Sequence, residues 1–562
     1  MVDPKNRNNP EKREGQLEEK WGEHDTRDLA EKLSGKSRQS TQCEDADDDQ
    51  RNRKDGDESG QEKFRPFGHV GRIAKYRRSG NVCDCRGGMI NGGRWCLPAG
   101  RSLVKSPRVR LFDTLKRDYV SLEPVDGKTF RFYCCGPTVY GPAHIGNFRT
   151  FVMQDVFRRV LEVGGQKTKH VRNITDVDDK TIRDSVAAGR SLEEFTAQWR
   201  DKFHADCELL NCLAPHVEPS AVKHISEQVE MIKELIEKGH AYASDDGSVY
   251  FMISSFPEYG KLSHLDTREL DLGKTQNARA DSDEYDKDDA ADFVLWKGRR
   301  DEDGDNFWES PWGQGRPGWH LECSAMIRKY LGETFDLHSG GVDLVFPHHE
   351  NEIAQSKCSC GGEFARNWFH ITHLRVEGKK MSKSLGNLYT LEDLAKKGYS
   401  AMEVRYVLLN GHYRKPINFG LDSLHAGREA LGKLAKAAEG KAAPAYKEIL
   451  KGGDYGVFAG ALQKLNDDLN TAGAIGELFV NLKAAESEAD WFGFYSALAS
   501  LGLILPEAVK KIAPDEIKKL AEERWQARGN QDWAASDRLR DELLEKGWVV
   551  KDGREGYELV SA

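Results

Sequence analysis

The stretch Phe130-Arg-Phe-Tyr-Cys-Cys-Gly-Pro-Thr-Val-Tyr-Gly-Pro-Ala-His-Ile-Gly-Asn147 decides the fold of this chain. Its first six residues are rich in β-forming side chains, and the run ends at two glycine–proline pairs. A helical pattern then extends from His144 to Val163. A strand, a glycine-rich turn and a helix in this order are typical of the first half of a βαβ unit. The sequence therefore predicts an α/β domain with a Rossmann-like parallel sheet.

Other segments extend this pattern in both directions. A second strand is predicted from Lys169 to Thr175, and the sheet is expected to resume near Phe335 after a long insertion. We expect six segments: a disordered or spurious N-terminal extension (1–105), the first half of the Rossmann-like domain (106–222), a connective insertion (223–315), the second half of that domain (316–390), an α-helical bundle (391–510) and a small C-terminal module (511–562).

The N-terminal hundred residues have a different composition from the rest. Residues 1–61 are dominated by charged and amide side chains, too polar to offset the entropy cost of ordering. They contain no apolar core of a signal peptide, and their many acids are unlike a transit peptide. Cys83, Cys85 and Cys96 allow a zinc knuckle as an alternative, but their spacing matches no closed four-ligand pattern. We expect either a disordered extension or sequence upstream of the true start.

Bulk properties limit the class of protein. The chain has 562 residues, a formal net charge of −9 and 11 cysteines. This length suits two to four domains, and the cysteine content suits reduced thiols rather than a secreted disulfide framework. No apolar run approaches the roughly 18 residues that span a membrane. The sequence therefore predicts a cytoplasmic protein without membrane association, whose local basic faces could still contact nucleic acid.

Two short motifs point to nucleotide chemistry. The pentad Lys380-Met-Ser-Lys-Ser384 combines two cations and two hydroxyls, which suits a polyphosphate. The tetrad His144-Ile-Gly-Asn147 begins a helix, whose free N–H groups and dipole favour phosphate. A solvated lysine loop and a merely capping histidine remain open alternatives. Together the motifs predict an ATP site with contacts from His144, Gly146, Asn147, Lys380, Ser382, Lys383 and Ser384.

These motifs resemble the signatures of class I aminoacyl-tRNA synthetases. Four further stretches resemble the cysteinyl-tRNA synthetases of that class: Tyr133 to Tyr140, Val171 to Lys180, Arg316 to Met326 and Phe346 to Gln355. The resemblance runs from about Val109 to the C-terminus. The family usually has histidine at the last position of the first tetrad, where this chain has Asn147, so the motif depends more heavily on His144.

The resemblance also implies a metal site. Cys135, Cys323, His348 and Glu352 match the family's zinc ligands one by one, and His348 and Glu352 are four residues apart, on one face of a helix. Two thiolates, an imidazole and a carboxylate suit one Zn²⁺ per subunit. Cys134 and His349 are adjacent alternatives as ligands. Because zinc binds thiolates better than hydroxyls, the site would separate cysteine from serine.

The resemblance implies an activity in two steps. Cysteine and Mg²⁺-bound ATP form cysteinyl-adenylate and pyrophosphate, with Lys380, Lys383, His144 and Asn147 as catalytic residues. Cysteine is then transferred to the terminal ribose of the cysteine tRNA. Thr175 and Trp319 match residues of the substrate pocket or pack in the core, whereas His338 and Asp343 are expected to face adenosine. A monomer is the usual form of the family.

The C-terminal segment resembles the family's anticodon-reading module. Trp533 could stack on an unpaired base, and Arg528 could contact phosphate or a guanine edge. Asp537 and Asp552 could accept hydrogen bonds from base edges. A charged surface helix with one packed tryptophan is an equally acceptable interpretation of these residues.

Two other functions compete with this interpretation. An ATP-dependent ligase that joins cysteine to an amino sugar, of the mycothiol type, shares the ATP and zinc motifs but lacks the long helical and C-terminal modules. A non-catalytic RNA- or zinc-binding relative would not be expected to retain His144, Lys380, Lys383 and all four candidate zinc ligands. We therefore expect a cysteine–tRNA ligase.

Overall fold

The computed structural model describes residues 108–265, 279–280, 291–380, 387–507, 513–553 and 556–561. The predicted N-terminal extension, including Cys83, Cys85 and Cys96, lies outside these residues. The strands are β1 (Arg110–Asp113), β2 (Asp118–Ser121), β3 (Thr129–Cys134), β4 (Lys167–Arg172), β5 (Ala241–Ala243), β6 (Val249–Phe251), β7 (Arg279–Ala280), β8 (Asp292–Gly298), β9 (Gly315–Pro317), β10 (Thr334–Gly341), β11 (Phe364–Ile371), β12 (Leu374–Val376), β13 (Lys379–Lys380), β14 (Ile417–Phe419), β15 (Trp548–Asp552) and β16 (Tyr557–Ser561).

Helices connect these strands and form most of the C-terminal half. They are α1 (Ile145–Val163), α2 (Asp179–Ala187), α3 (Leu192–Leu209), α4 (Ile225–Glu237), α5 (Trp319–Leu331), α6 (His348–Cys360), α7 (Leu391–Lys396), α8 (Ala401–Leu409), α9 (Leu421–Ala437), α10 (Tyr446–Ile449), α11 (Ala459–Asn466), α12 (Thr471–Asn481), α13 (Glu488–Leu501), α14 (Asp515–Gly529) and α15 (Trp533–Glu545). Among the described helices, none has the length and apolarity to span a bilayer.

The central sheet is parallel, with the strand order β11–β10–β3–β4. This confirms the predicted Rossmann-like α/β class, including the strand–turn–helix unit formed by β3 and α1. The chain leaves β3 toward β4 on one side and leaves β10 toward β11 on the other. The sheet order therefore reverses between β3 and β10, and ligands in open α/β sheets bind beyond the carboxyl ends of strands at such a point.

Each face of this sheet has its own apolar core. On one face, Phe132 and Cys134 pack with α1 and with helices of the C-terminal bundle. On the other face, Tyr133 and Cys135 pack with α4, α5 and the insertion. Since side chains along a strand alternate between faces, Cys134 and its neighbour Cys135 are separated into different environments.

Smaller sheets flank the central one. In the insertion, β5, β6, β8 and β7 lie side by side, and β9 pairs with β8. A three-stranded sheet in the order β13–β12–β14 has Lys380 at the end of its edge strand β13. At the C-terminus, α14, α15 and the antiparallel pair of β15 and β16 share a small core around Ala521, Leu543 and Trp548. The six segment boundaries given above stay predictions.

Candidate active site and metal centre

Four predicted metal ligands meet at the carboxyl end of β3. Cys135 follows that strand, Cys323 lies on α5, and His348 and Glu352 lie one turn apart on α6. Their ligand atoms all lie within 4.8 Å of one another, and all four residues are buried. His348 Nε2 is 3.0 Å from Glu352 Oε1. Residues from three distant parts of the sequence thus form one compact donor set.

The buried side chains of the donor set shift one another's pKa values. Burial raises the pKa of Cys323, but hydrogen bonds from Cys135 and His348 lower it to about 6. Burial lowers the pKa of His348, whereas Glu352 and Cys323 raise it to about 10. Burial raises the pKa of Glu352, but His338 and His348 lower it to about 2. Buried charges of both signs held this closely fit a divalent cation that replaces the protons.

Of the two alternative ligands, the structure brings only His349 near the cluster. Its Nε2 is 3.2 Å from Cys135 Sγ, and a second possible donor set contains Cys135, His338, His349 and Glu352. The other ring nitrogen of His349 bonds His370 Nε2 at 2.8 Å, so both of its nitrogens have protein partners. The set with two sulfurs suits zinc better than the set with one. Cys134 faces the opposite core.

His338 contacts Glu352 of the donor set. It is fully buried, and its Nε2 lies 2.7 Å from Glu352 Oε2. Its ring also stacks on Trp368 at a centroid distance of 4.9 Å. His338 is not among the described residues that line the cavity below. His338 therefore orients Glu352, and its predicted contact with adenosine stays a prediction.

A cavity of about 610 Å³ opens beside the metal cluster. Cys135 and Trp319 line it near the cluster, and Asp343 lines it at the end of β10. The tetrad residues His144, Gly146 and Asn147 line it as well. The cavity therefore joins the candidate thiol-selecting end to the candidate phosphate end.

The tetrad helix begins with a reciprocal cap. The backbone N–H of Asn147 donates to His144 Nδ1 at 3.2 Å, and the backbone N–H of His144 donates to Asn147 Oδ1 at 3.1 Å. The capping interpretation of His144 is therefore confirmed. Because Nδ1 accepts, the proton of a neutral ring sits on Nε2, and the same histidine remains a hydrogen-bond donor. The side chain of Asn147 has a structural task that the sequence reasoning missed.

Lys380 is the one residue of the second candidate phosphate motif, Lys380 to Ser384, that the structure describes. Lys380 ends β13, whose backbone pairs with β12. Ser382, Lys383 and Ser384 lie outside the described residues. After the pentad in the sequence, the backbone carbonyl of Tyr389 accepts a hydrogen bond from the backbone N–H of Ile145 at 2.9 Å, and Thr390 lines the cavity. The segment that follows the pentad thus lies beside the tetrad helix.

The two predicted substrate-pocket residues differ in position. Trp319 lines the cavity, and its ring lies 4.3 Å from the ring of His348. Thr175 is buried, and its hydroxyl donates to Glu322 Oε2 at 3.1 Å. The Thr175 hydroxyl also accepts from Asn173 Nδ2 at 3.1 Å. Trp319 can therefore contact a ligand directly, whereas Thr175 belongs to a buried polar chain behind the cavity.

Three of the four predicted RNA-contacting residues lie together. Arg528 Nη1 is 2.7 Å from Asp552 Oδ2, and the guanidinium of Arg528 lies 6.0 Å from the centre of the Trp533 ring. Trp533 is 58% exposed, so it is not the packed tryptophan of the alternative interpretation. Asp537 lies on α15, where it pairs with Arg540 at 3.0 Å.

Comparison with known proteins adds independent information. Residues 121–429 match the family model described as the class I (C) tRNA synthetase catalytic domain. A cysteine–tRNA ligase of Opitutus terrae is 54% identical over 465 residues, which cover 81% of this chain and 99% of the relative. The cysteine–tRNA ligase of Solibacter usitatus is 44% identical over 80% of this chain and 98% of the relative.

One solved structure is a more distant match. Mycobacterium tuberculosis methionyl-tRNA synthetase in complex with methionyl-adenylate has 15% sequence identity and a TM-score of 0.44. The match covers 73% of this chain and 96% of that protein. The family match spans the tetrad, the metal cluster and Lys380, and the relatives are matched over nearly their whole length. The chain belongs to the cysteine–tRNA ligase family of class I tRNA synthetases.

Proposed function

We propose that this protein activates cysteine with ATP and transfers it to the 3′-terminal ribose of the cysteine tRNA. The observation that carries the proposal is a single cavity with the tetrad helix start at one part of its wall and Cys135 of the metal cluster at another. An amino acid bound by its thiol near the cluster would direct its carboxylate toward a nucleotide held at the helix start. This arrangement supports the attack of that carboxylate on the α-phosphorus, with release of pyrophosphate.

The phosphate end is built for an anionic leaving group. The first N–H groups of α1 and Nε2 of His144 can donate to phosphate oxygens, while Gly146 leaves room for close approach. Lys380 and Lys383 would add positive charge near the departing pyrophosphate, and Mg²⁺ would accompany ATP. Asp343, at the end of β10, is available to hydroxyl groups of the nucleotide. Positioning and charge stabilisation therefore account for the activation step.

The cluster supplies selectivity for cysteine. Cys135, Cys323, His348 and Glu352 would hold Zn²⁺, which prefers a thiolate to a hydroxyl and so distinguishes cysteine from serine. Trp319 covers His348 on the cavity side and would restrict the space around the substrate side chain. The residues that we propose to contact the anticodon end of the tRNA are Arg528, Trp533, Asp537 and Asp552. We further propose that the enzyme acts as a cytoplasmic monomer.

Pyrophosphate exchange separates an enzyme from a binding protein. The full-length protein is incubated with ATP, labelled pyrophosphate and either cysteine or serine. We expect exchange with cysteine and a much slower rate with serine, and absence of cysteine-dependent exchange would contradict the proposal. Addition of cysteine tRNA or of an amino sugar as the acceptor then distinguishes the tRNA ligase from the sugar ligase.

A further inference from the structure

Two cysteines meet at the C-terminal end of α3, away from the metal cluster. The backbone N–H of Cys212 donates to Cys207 O at 2.8 Å, and that of Asn211 donates to Glu208 O at 2.8 Å. Asn211 has the left-handed φ of 54° that such a helix ending requires. This double-bonded ending is the Schellman motif, which brings the side chains of its first and last residues into contact. In this chain both of those residues are cysteine.

The two thiols are chemically unequal. The neighbouring thiol raises the pKa of Cys207, whereas Cys207 lowers the pKa of Cys212. The guanidinium of Arg405 lies 3.6 Å from Cys212 Sγ, close enough to favour a thiolate there. Cys207 is 6% exposed, whereas Cys212 is partly exposed. Cys212 is therefore suited to attack an incoming disulfide, and Cys207 is suited to resolve the mixed disulfide.

The pair lies at a joint between distant parts of the fold. Besides Cys212, Arg405 contacts Leu210 O at 2.7 Å and Leu501 O at 2.8 Å. Its other terminal nitrogen lies 2.5 Å from Asp155 Oδ2 on α1. A change in the position of the Cys212 sulfur would therefore act on a fully buried cation that links α1, α3 and α13.

We propose that Cys207 and Cys212 form a redox-active dithiol that low-molecular-weight disulfides convert into an intramolecular disulfide. The Cys212 thiolate attacks one sulfur of the small disulfide, and one small thiolate leaves. The Cys207 thiol then loses its proton and attacks the Cys212 sulfur, which releases the second small thiolate. Two protein thiols are oxidised to one disulfide, and one small disulfide is reduced to two thiols.

Peptide mapping tests this proposal on the full-length protein. Trypsin releases residues 203–223 as one peptide, with Cys207 and Cys212 as its two cysteines. A second peptide, residues 358–366, carries Cys358 and Cys360 and serves as an internal control. Burial raises the pKa of Cys358 to about 11, so Cys358 is a poor nucleophile. The reduced protein is treated with glutathione disulfide, quenched in acid, alkylated and digested.

We expect most of the 203–223 peptide to be two hydrogen atoms lighter and unalkylated, with at least about tenfold less disulfide in the control peptide. In a Cys207→Ser variant, Cys212 should retain one glutathione. Recovery of 203–223 with both thiols alkylated would overturn the proposal. Persistent glutathione on Cys212 of the unmodified sequence would also overturn it, because Cys207 would then fail to resolve the mixed disulfide.

Discussion

His338 Nε2 lies 2.7 Å from Glu352 Oε2, and both side chains are fully buried. The other carboxylate oxygen of Glu352 lies 3.0 Å from His348 Nε2. His338 therefore holds the carboxylate from behind while His348 lies on the cluster side. This arrangement resembles the outer hydrogen bonds that orient ligands in metal centres.

Replacement of His338 by Asn tests this outer contact. Because Glu352 would lose its orienting partner, we expect zinc affinity to fall about 10- to 100-fold while the protein remains folded. Zinc affinity is measured by competition with a chromophoric chelator. A His204→Asn variant is the control, since His204 is partly exposed and pairs with Glu218. Equal zinc affinity in the two variants would contradict the assignment.

Cys323→Ser tests the donor set itself. A hydroxyl is a poor zinc ligand, so we expect zinc content and cysteine affinity to fall together. Metal analysis and cysteine-dependent pyrophosphate exchange measure the two quantities. Cys134→Ser provides a matched buried control, because Cys134 packs in the core on the opposite sheet face. Intact zinc with normal cysteine affinity in Cys323→Ser would exclude Cys323 as a ligand.

Asn147 allows its capping role to be separated from its effect on phosphate. In Asn147→Ala, the backbone N–H of His144 loses its acceptor, and we expect a loss of about 0.5–1 kcal/mol in the free energy of unfolding. Asn147→Asp keeps an acceptor but adds negative charge at the cavity, so stability is expected to persist while the KM for ATP rises. An unchanged KM in Asn147→Asp would place ATP elsewhere.

The ion pair between Asp155 and Arg405 should dominate the stability of the joint. Asp155 Oδ2 also lies 2.8 Å from Arg159 Nε, so removal of the carboxylate charge leaves two buried cations without their anion. We expect Asp155→Asn to lower the free energy of unfolding by about 3–5 kcal/mol. Asp201→Asn, at an exposed pair with Arg200, should have little effect in the same denaturation experiment.

Acid should weaken the fold through the same carboxylate. Burial raises the pKa of Asp155, but Arg405 and Arg159 hold it below its usual value. Burial likewise raises the pKa of Asp468, and His412 is foremost among the groups that lower it. A lowered folded-state pKa stabilises the fold above the unfolded pKa of about 3.9, and this contribution is lost as the pH falls below it.

Denaturation at a series of pH values measures this loss. The free energy of unfolding should change little through these two carboxylates above about pH 5 and should fall below about pH 4. In Asp155→Asn the acid-side slope should be smaller, because one of the two titrating groups is gone. An equal slope in both proteins would exclude Asp155 as a source of the acid sensitivity.

The sequence predicted most of the fold because its signals are local. The strand, turn and helix around β3 and α1 follow directly from β-rich composition, glycine–proline pairs and helical periodicity. By contrast, the pairing of Asp155 with Arg405 joins residues 250 positions apart, and no local pattern encodes such a contact.

The sequence predicted which residues form the site better than it predicted where their side chains point. Resemblance to the family identified Cys135, Cys323, His348 and Glu352, and the structure brings them together. The resemblance placed His338 at adenosine, which stays a prediction, but it did not indicate the contact of His338 with Glu352. Side chains along a strand alternate between the two faces of a sheet. The sequence of β10 alone does not show which of these faces lies against α6.

The separation of Cys134 and Cys135 has a consequence for how the chain can change. One inserted or deleted residue within β3 would turn the side chains that follow it to the other face of the sheet, so Cys135 would leave the face that carries the donor set. The composition and length of the chain would be almost unchanged, yet different side chains of β3 would pack beside the donor set. The proposed selection of cysteine therefore depends on the length of β3 as well as on the thiols themselves. We expect variants with a single-residue insertion in β3 to be inactive.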